Sequence, residues 1–78
     1  MPTVFQNGPY YFRFYSADNV EPPHIHVHRD RNGAKFWLDP IPVLRNWGFP
    51  APELRRVRRI IEEHQTELLE AWDDYSAA

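Results

Sequence analysis

The sequence contains no cysteine. Disulfide bonds, cysteine-ligated iron–sulfur clusters and thiolate zinc sites are therefore excluded, and a metal would need histidine or carboxylate ligands. Apolar runs are far shorter than the roughly 18 residues that cross a bilayer, and the first residues do not resemble an export signal. We therefore expect a cytoplasmic protein without a membrane segment.

The chain is also short, at 78 residues, which is enough for one hydrophobic core. We expect a single domain over residues 1–78. Aromatic residues make up 15% of the sequence, and their bulk supplies buried area to a small core.

Strand patterns fill the first two thirds of the chain. The segment 24–28 alternates His, Ile, His, Val, His, and other strand-like runs lie at 3–6, 10–15, 34–38 and 43–46. Residues 16–23 are loop-like, and 29–33 is interpreted as a hairpin loop closed by Asn32-Gly33, a pair that tolerates positive φ. These runs predict a small antiparallel sheet of four or five strands within residues 3–46.

A helical period begins at Pro52. Apolar residues and one histidine then recur at steps of three and four, as expected for one face of a helix of about residues 52–75. This stripe consists of Leu54, Val57, Ile61, His64, Leu68, Trp72 and Tyr75. The predicted fold class is α+β, with the sheet packed against one long C-terminal helix that starts at a weak cap, Pro50.

The alternating histidines allow three interpretations. Side chains at i and i+2 of a strand share a face, so His24 and His26 could bind one metal, although no carboxylate completes the set. Alternatively, imidazoles titrate near neutrality and could act as general base and general acid in cleaving an RNA phosphodiester. They could also be structural residues of a half-solvated sheet face. We take His24 and His26 as the candidate catalytic pair, and we expect no cofactor and no metal.

Aromatic and basic residues alternate on two other strands. One face of the strand at 10–15 carries Tyr11, Arg13 and Tyr15. One face of the strand that begins at Ala34 carries Lys35, Trp37 and Asp39. A platform of rings and cations is typical of single-stranded RNA binding, although Trp37 could instead pack under the helix. Arg13, Lys35 and Trp37 are therefore candidate RNA-binding residues.

Charge is divided unevenly along the chain. Residues 1–59 carry all nine Lys and Arg with five acidic residues, whereas residues 60–78 carry six acidic residues and no base. Arginines crowd the first turns of the predicted helix, where the helix dipole disfavours cations. These arginines are Arg55, Arg56, Arg58 and Arg59. They could bind phosphate, dock an acidic partner or simply be exposed to solvent.

Several segments together resemble the small bacterial DUF4160 family. They are Met1 to Phe5, Gly8-Pro9-Tyr10, Phe12 to Ser16, Glu21 to Val27, Ala34 to Pro40, Gly48-Phe49, Glu53 to Arg56 and Glu70-Ala71-Trp72. The resemblance implies the toxin of a type II toxin–antitoxin system, of the kind named DhiT, neutralised by a DUF2442-type (DhiA) antitoxin. It gives no molecular target, and His28 is not part of the family pattern. The alternative function is a non-catalytic protein-binding module.

Overall fold

The computed structural model describes residues 3–14 and 22–77. Five strands form one antiparallel sheet in chain order. They are β1 (Thr3–Asn7), β2 (Tyr10–Arg13), β3 (His24–Arg29), β4 (Asn32–Trp37) and β5 (Val43–Trp47), followed by two helices, α1 (Ala51–Glu63) and α2 (Gln65–Ala77). The α+β class is confirmed, with five strands. Tyr15 and most of the predicted loop at 16–23 lie outside the described residues.

The hairpin between β3 and β4 is tighter than predicted. Arg29 pairs with Asn32, so the turn residues are Asp30 and Arg31, and Asp30 has the positive φ of 55°. Gly33 lies within β4 and pairs with His28. The prediction of an Asn32-Gly33 turn was wrong because Asp also tolerates the left-handed region, which frees the glycine to serve in the strand.

One face of the sheet carries the core. Its strand residues alternate with polar ones and are buried, as are the helix residues that pack on them. These residues are Phe12, Ile25, Val27, Ala34 and Phe36 from the sheet, and Val57, Ile61, Leu68 and Trp72 from the helices. The apolar stripe of the helical region therefore faces the sheet, as its spacing predicts.

The prediction of one long helix was wrong, because the helical region is broken at His64. His64 has φ −116° and ψ 18°, and its Nδ1 lies 2.9 Å from the carbonyl oxygen of Ile60. Two contacts hold the break: the His64 ring lies 4.6 Å from the Phe5 ring, and Gln65 Nε2 donates to the carbonyl oxygen of Leu38 at 2.7 Å. Tertiary contacts therefore override the helical period at this residue.

The start of α1 is held by an ion pair rather than by a cap. Pro50 occupies the N-cap and makes no side-chain cap hydrogen bond, as expected from the sequence. Glu53, in the first turn, accepts hydrogen bonds from Tyr10 Oη and Arg29 Nη2, both at 2.8 Å. The hydrogen bond from Arg29 lowers the pKa of Glu53, and burial raises that of Tyr10. These contacts fasten the helix to the ends of β2 and β3.

Candidate functional site

The sheet face opposite the helices carries a row of basic residues. Strand register places Arg13 beside His26, His26 beside Lys35, and Lys35 beside Arg45. Four adjacent strands, β2 to β5, each contribute one of these residues. We call them the cationic row.

A second row runs parallel to the first, two residues away along each strand. Tyr11 lies beside His28, His28 beside Gly33, and Gly33 beside Trp47. The Tyr11 and Trp47 side chains are about two-fifths exposed, at 41% and 40%. We call these residues the aromatic row, and the two rows together the polar face.

The two rows have complementary chemistry at a fixed spacing. Side chains at i and i+2 of a strand are about 6.5–7 Å apart, so Arg13 stands next to the ring of Tyr11 and Arg45 next to the ring of Trp47. The rows are joined at β5, where the Arg45 guanidinium lies 5.0 Å from the centre of the Trp47 ring. Neither row contains an acidic residue. The polar face therefore favours ligands that combine negative charge with flat apolar groups.

A depression opens in the polar face around Gly33. It has a volume of about 470 Å³ and is lined by His26, His28, Arg31, Gly33 and Trp47. This volume lies within the range of small-molecule sites. Gly33 has no side chain to cover the floor, and the depression brings two imidazoles, a guanidinium and an indole together.

His28 is set up to be neutral at physiological pH. Burial lowers its pKa below the usual 6.5, and the positive charge of Arg13 lowers it further. A neutral imidazole can accept a proton or a hydrogen bond from a ligand. His28 therefore has the protonation state that a general base needs.

His24 has a different environment, although it alternates with His26 and His28 on the same strand. It is completely buried, its Nδ1 lies 2.9 Å from the carbonyl oxygen of Pro22, and its ring lies 5.0 Å from that of Trp72 in α2. Trp37 is half-buried beside it, with ring centres 6.0 Å apart. Of the predicted catalytic pair, only His26 is therefore at the depression, and His24 is part of the packed interior.

The structure does not bring the arginines of α1 to the polar face. The helix packs on the core face through Val57 and Ile61, so its arginines lie on the other side of the sheet. All four are exposed, namely Arg55, Arg56, Arg58 and Arg59. Arg55 and Arg58 line a small groove of about 90 Å³ beside β5. The basic residues predicted from sequence to bind phosphate therefore lie on two separate surfaces.

Among residues 3–14 and 22–77 there is no group of three or more histidine, aspartate or glutamate side chains placed to hold a metal ion. Within the same ranges, neither helix is long and apolar enough to cross a membrane.

Asp39, which was expected to share a face with Lys35, lies beyond the end of β4 and is exposed.

Four residues of the site were not predicted from the sequence: Arg31, Gly33, Arg45 and Trp47. Arg45 and Trp47 are an i, i+2 pair on an edge strand, the same signal that singled out the other strands. Gly33 was hidden because Asn-Gly is a common turn pair. Only the register of β4 reveals that this glycine lies at the centre of a sheet face.

Fold and site together define a small α+β domain with one core face and one polar face of rings and cations. The chain belongs to the family described as a domain of unknown function, DUF4160, which it matches over residues 10–73. This match includes the polar face and both helices, apart from the last residues of α2. Comparison with curated proteins and with solved structures found no match.

Proposed function

We propose that this chain is the toxin of a type II toxin–antitoxin pair, acting on single-stranded RNA in the cytoplasm and neutralised by a DUF2442-type (DhiA) antitoxin. The toxin role and the antitoxin rest on the resemblance to DhiT-like members of the family. The RNA target rests on the parallel cationic and aromatic rows of the polar face.

The two rows match the two parts of an RNA strand. Single-stranded RNA is bound by stacking its bases on aromatic rings and by pairing its phosphates with cations. Tyr11 and Trp47 supply exposed rings, and Arg13, Lys35 and Arg45 supply cations one row away. An RNA strand lying along the rows would therefore contact several strands of the sheet at once.

His26 and His28 are the proposed proton-transfer residues. Neutral His28 takes the proton from a ribose 2′-hydroxyl, whose oxygen attacks the neighbouring phosphorus. The bond from phosphorus to the 5′-oxygen breaks, and charged His26 donates a proton to that oxygen. The products are a 2′,3′-cyclic phosphate and a 5′-hydroxyl. Arg13 and Lys35 stabilise the charge that develops on the phosphoryl oxygens.

The second candidate function is a non-catalytic protein-binding module. The exposed rings of Tyr11 and Trp47 favour it, because exposed aromatic residues beside arginine are enriched in protein interfaces. Such a module would bind a protein through the polar face and leave RNA intact. RNA binding by the purified protein distinguishes the two functions.

The test is binding to single-stranded RNA over a range of salt concentrations. Arg13→Gln and Lys35→Gln should each weaken binding and reduce the slope of log affinity against log salt by about 1, because each removes one phosphate contact. Arg59→Gln is the matched control, since this exposed arginine lies on the other side of the sheet, and it should bind like the wild type. Equal effects of all three variants would contradict the proposal.

A further inference from the structure

We propose that the depression around Gly33 is a nucleobase pocket that prefers guanine. This inference rests on the proposed function and deepens it, because it assigns the base that the RNA-binding face selects. It depends on three features of the depression: its floor, its ring-bearing wall and the arginine at its rim.

The floor of the depression is the backbone of Gly33. A Cβ atom placed there would lie 3.3 Å from His28 Nδ1 and 3.3 Å from Trp47 Cε3. The imidazole and the indole therefore flank the backbone of Gly33, and a methyl group there would press on both rings. The bare backbone lets a flat ring that stacks on Trp47 lie low in the depression.

The indole of Trp47 provides a stacking surface. Its side chain is 40% exposed, and the Arg45 guanidinium lies 5.0 Å from the ring centre. This cation–π contact restrains the indole, which lowers the entropy lost when a base stacks on it. Stacking of a base on an aromatic side chain contributes about 1–3 kcal/mol and does not depend on which base it is.

Preference among the bases comes from Arg31. It lies in the turn between β3 and β4 and lines the same depression. A guanidinium donates two parallel hydrogen bonds to O6 and N7 of guanine, whereas adenine places an amino group at the position of O6. The phosphate of the bound nucleotide then lies toward Arg13 and Lys35 in the cationic row.

The experiment is a titration of the purified protein with the four ribonucleoside 5′-monophosphates, followed by tryptophan fluorescence. We expect guanosine monophosphate to quench the emission and to bind about tenfold more tightly than adenosine monophosphate, the size of effect expected for one bidentate contact. Trp47→Phe should remove this quenching, and its loss would assign the fluorescence signal to Trp47. Cytidine and uridine monophosphates should bind more weakly than guanosine monophosphate.

Two variants test the pocket itself. Gly33→Ala should fold, because Gly33 has no positive φ and its nearest neighbours are two side chains that can shift by tenths of an ångström. It should nevertheless weaken guanosine monophosphate binding at least tenfold, because the methyl group raises the floor of the depression and displaces the His28 and Trp47 rings. Arg31→Gln should abolish the preference for guanine over adenine, and Arg59→Gln, the control, should leave both affinities unchanged.

The outcomes separate this inference from the proposed function. Wild-type nucleotide binding by Gly33→Ala, or equal affinity of the wild type for all four nucleotides, overturns the guanine pocket. If salt-dependent RNA binding still requires Arg13 and Lys35 in that case, the RNA-binding function stands without the pocket. If guanosine monophosphate binds as expected but no RNA strand does, the pocket stands and the RNA-binding function is wrong.

Discussion

Three histidines that alternate along β3 have different surroundings and different expected roles. His24 is buried between Pro22 and Trp72, whereas His26 and His28 are half-buried at the depression. His24→Asn should therefore lower the free energy of unfolding by about 1–3 kcal/mol, because it breaks the buried hydrogen bond and the ring packing. His26→Asn and His28→Asn should unfold close to the wild-type denaturant midpoint. Equal stability of all three variants would contradict this division.

The division could not have been predicted from strand alternation alone. Period two puts the three imidazoles on one side, and the structure agrees. His24 is buried against Trp72, which lies 48 positions further along the chain, in α2. Local pattern therefore identified the face, and long-range packing decided which of its histidines a ligand can reach.

At the scale of elements, the two helices hold the sheet through a few apolar residues. Ile61 is completely buried in the core and lies in the last turn of α1. Ile61→Ala should lower the free energy of unfolding by about 2–5 kcal/mol, which for so small a domain is a large share of the total. The control is Glu62→Ala, an exposed neighbour whose ion pair with Arg58 spans 3.6 Å, and it should change stability by no more than about 0.5 kcal/mol. Similar urea midpoints for the two variants would be inconsistent with the packing described.

Elements with a clear period were predicted well, and their ends were not. The core stripe of Val57, Ile61, Leu68 and Trp72 followed from steps of three and four residues. The break at His64 left that stripe unchanged, because a half-buried histidine fits the period while its backbone leaves the helix. The contacts that hold the break join His64 to Phe5 in β1 and Gln65 to Leu38 just after β4, and no local period records such distant partners.

At the scale of the whole molecule, the sheet separates two basic surfaces. The cationic row lies on the polar face, and the arginines of α1 lie on the core side, where Arg55 and Arg58 border a groove with the apolar residues Phe36, Val43 and Leu54. We propose that acidic residues of the antitoxin bind at this groove. The sequence alone does not predict that these two groups of basic residues lie on opposite sides of the sheet. The side that a helix covers depends on the register and the connections of the strands.

This placement predicts separate effects on the two partners. Arg55→Glu combined with Arg58→Glu should weaken the complex with the antitoxin and make its affinity less dependent on salt, while RNA binding stays at the wild-type level. Calorimetry with a DUF2442-type antitoxin, and RNA binding by the same variant, provide the two measurements. If the antitoxin instead competes with RNA and is unaffected by the charge reversals, it covers the polar face.

The most direct test of the central claim is to induce the chain in cells without its antitoxin and to sequence the ends of cellular RNA. The account predicts growth arrest together with new 5′-hydroxyl and 2′,3′-cyclic phosphate ends, both abolished by His26→Asn and by His28→Asn in protein that remains folded. Growth arrest without new RNA ends, or the same ends from the folded His26→Asn and His28→Asn variants, would contradict RNA cleavage at the polar face.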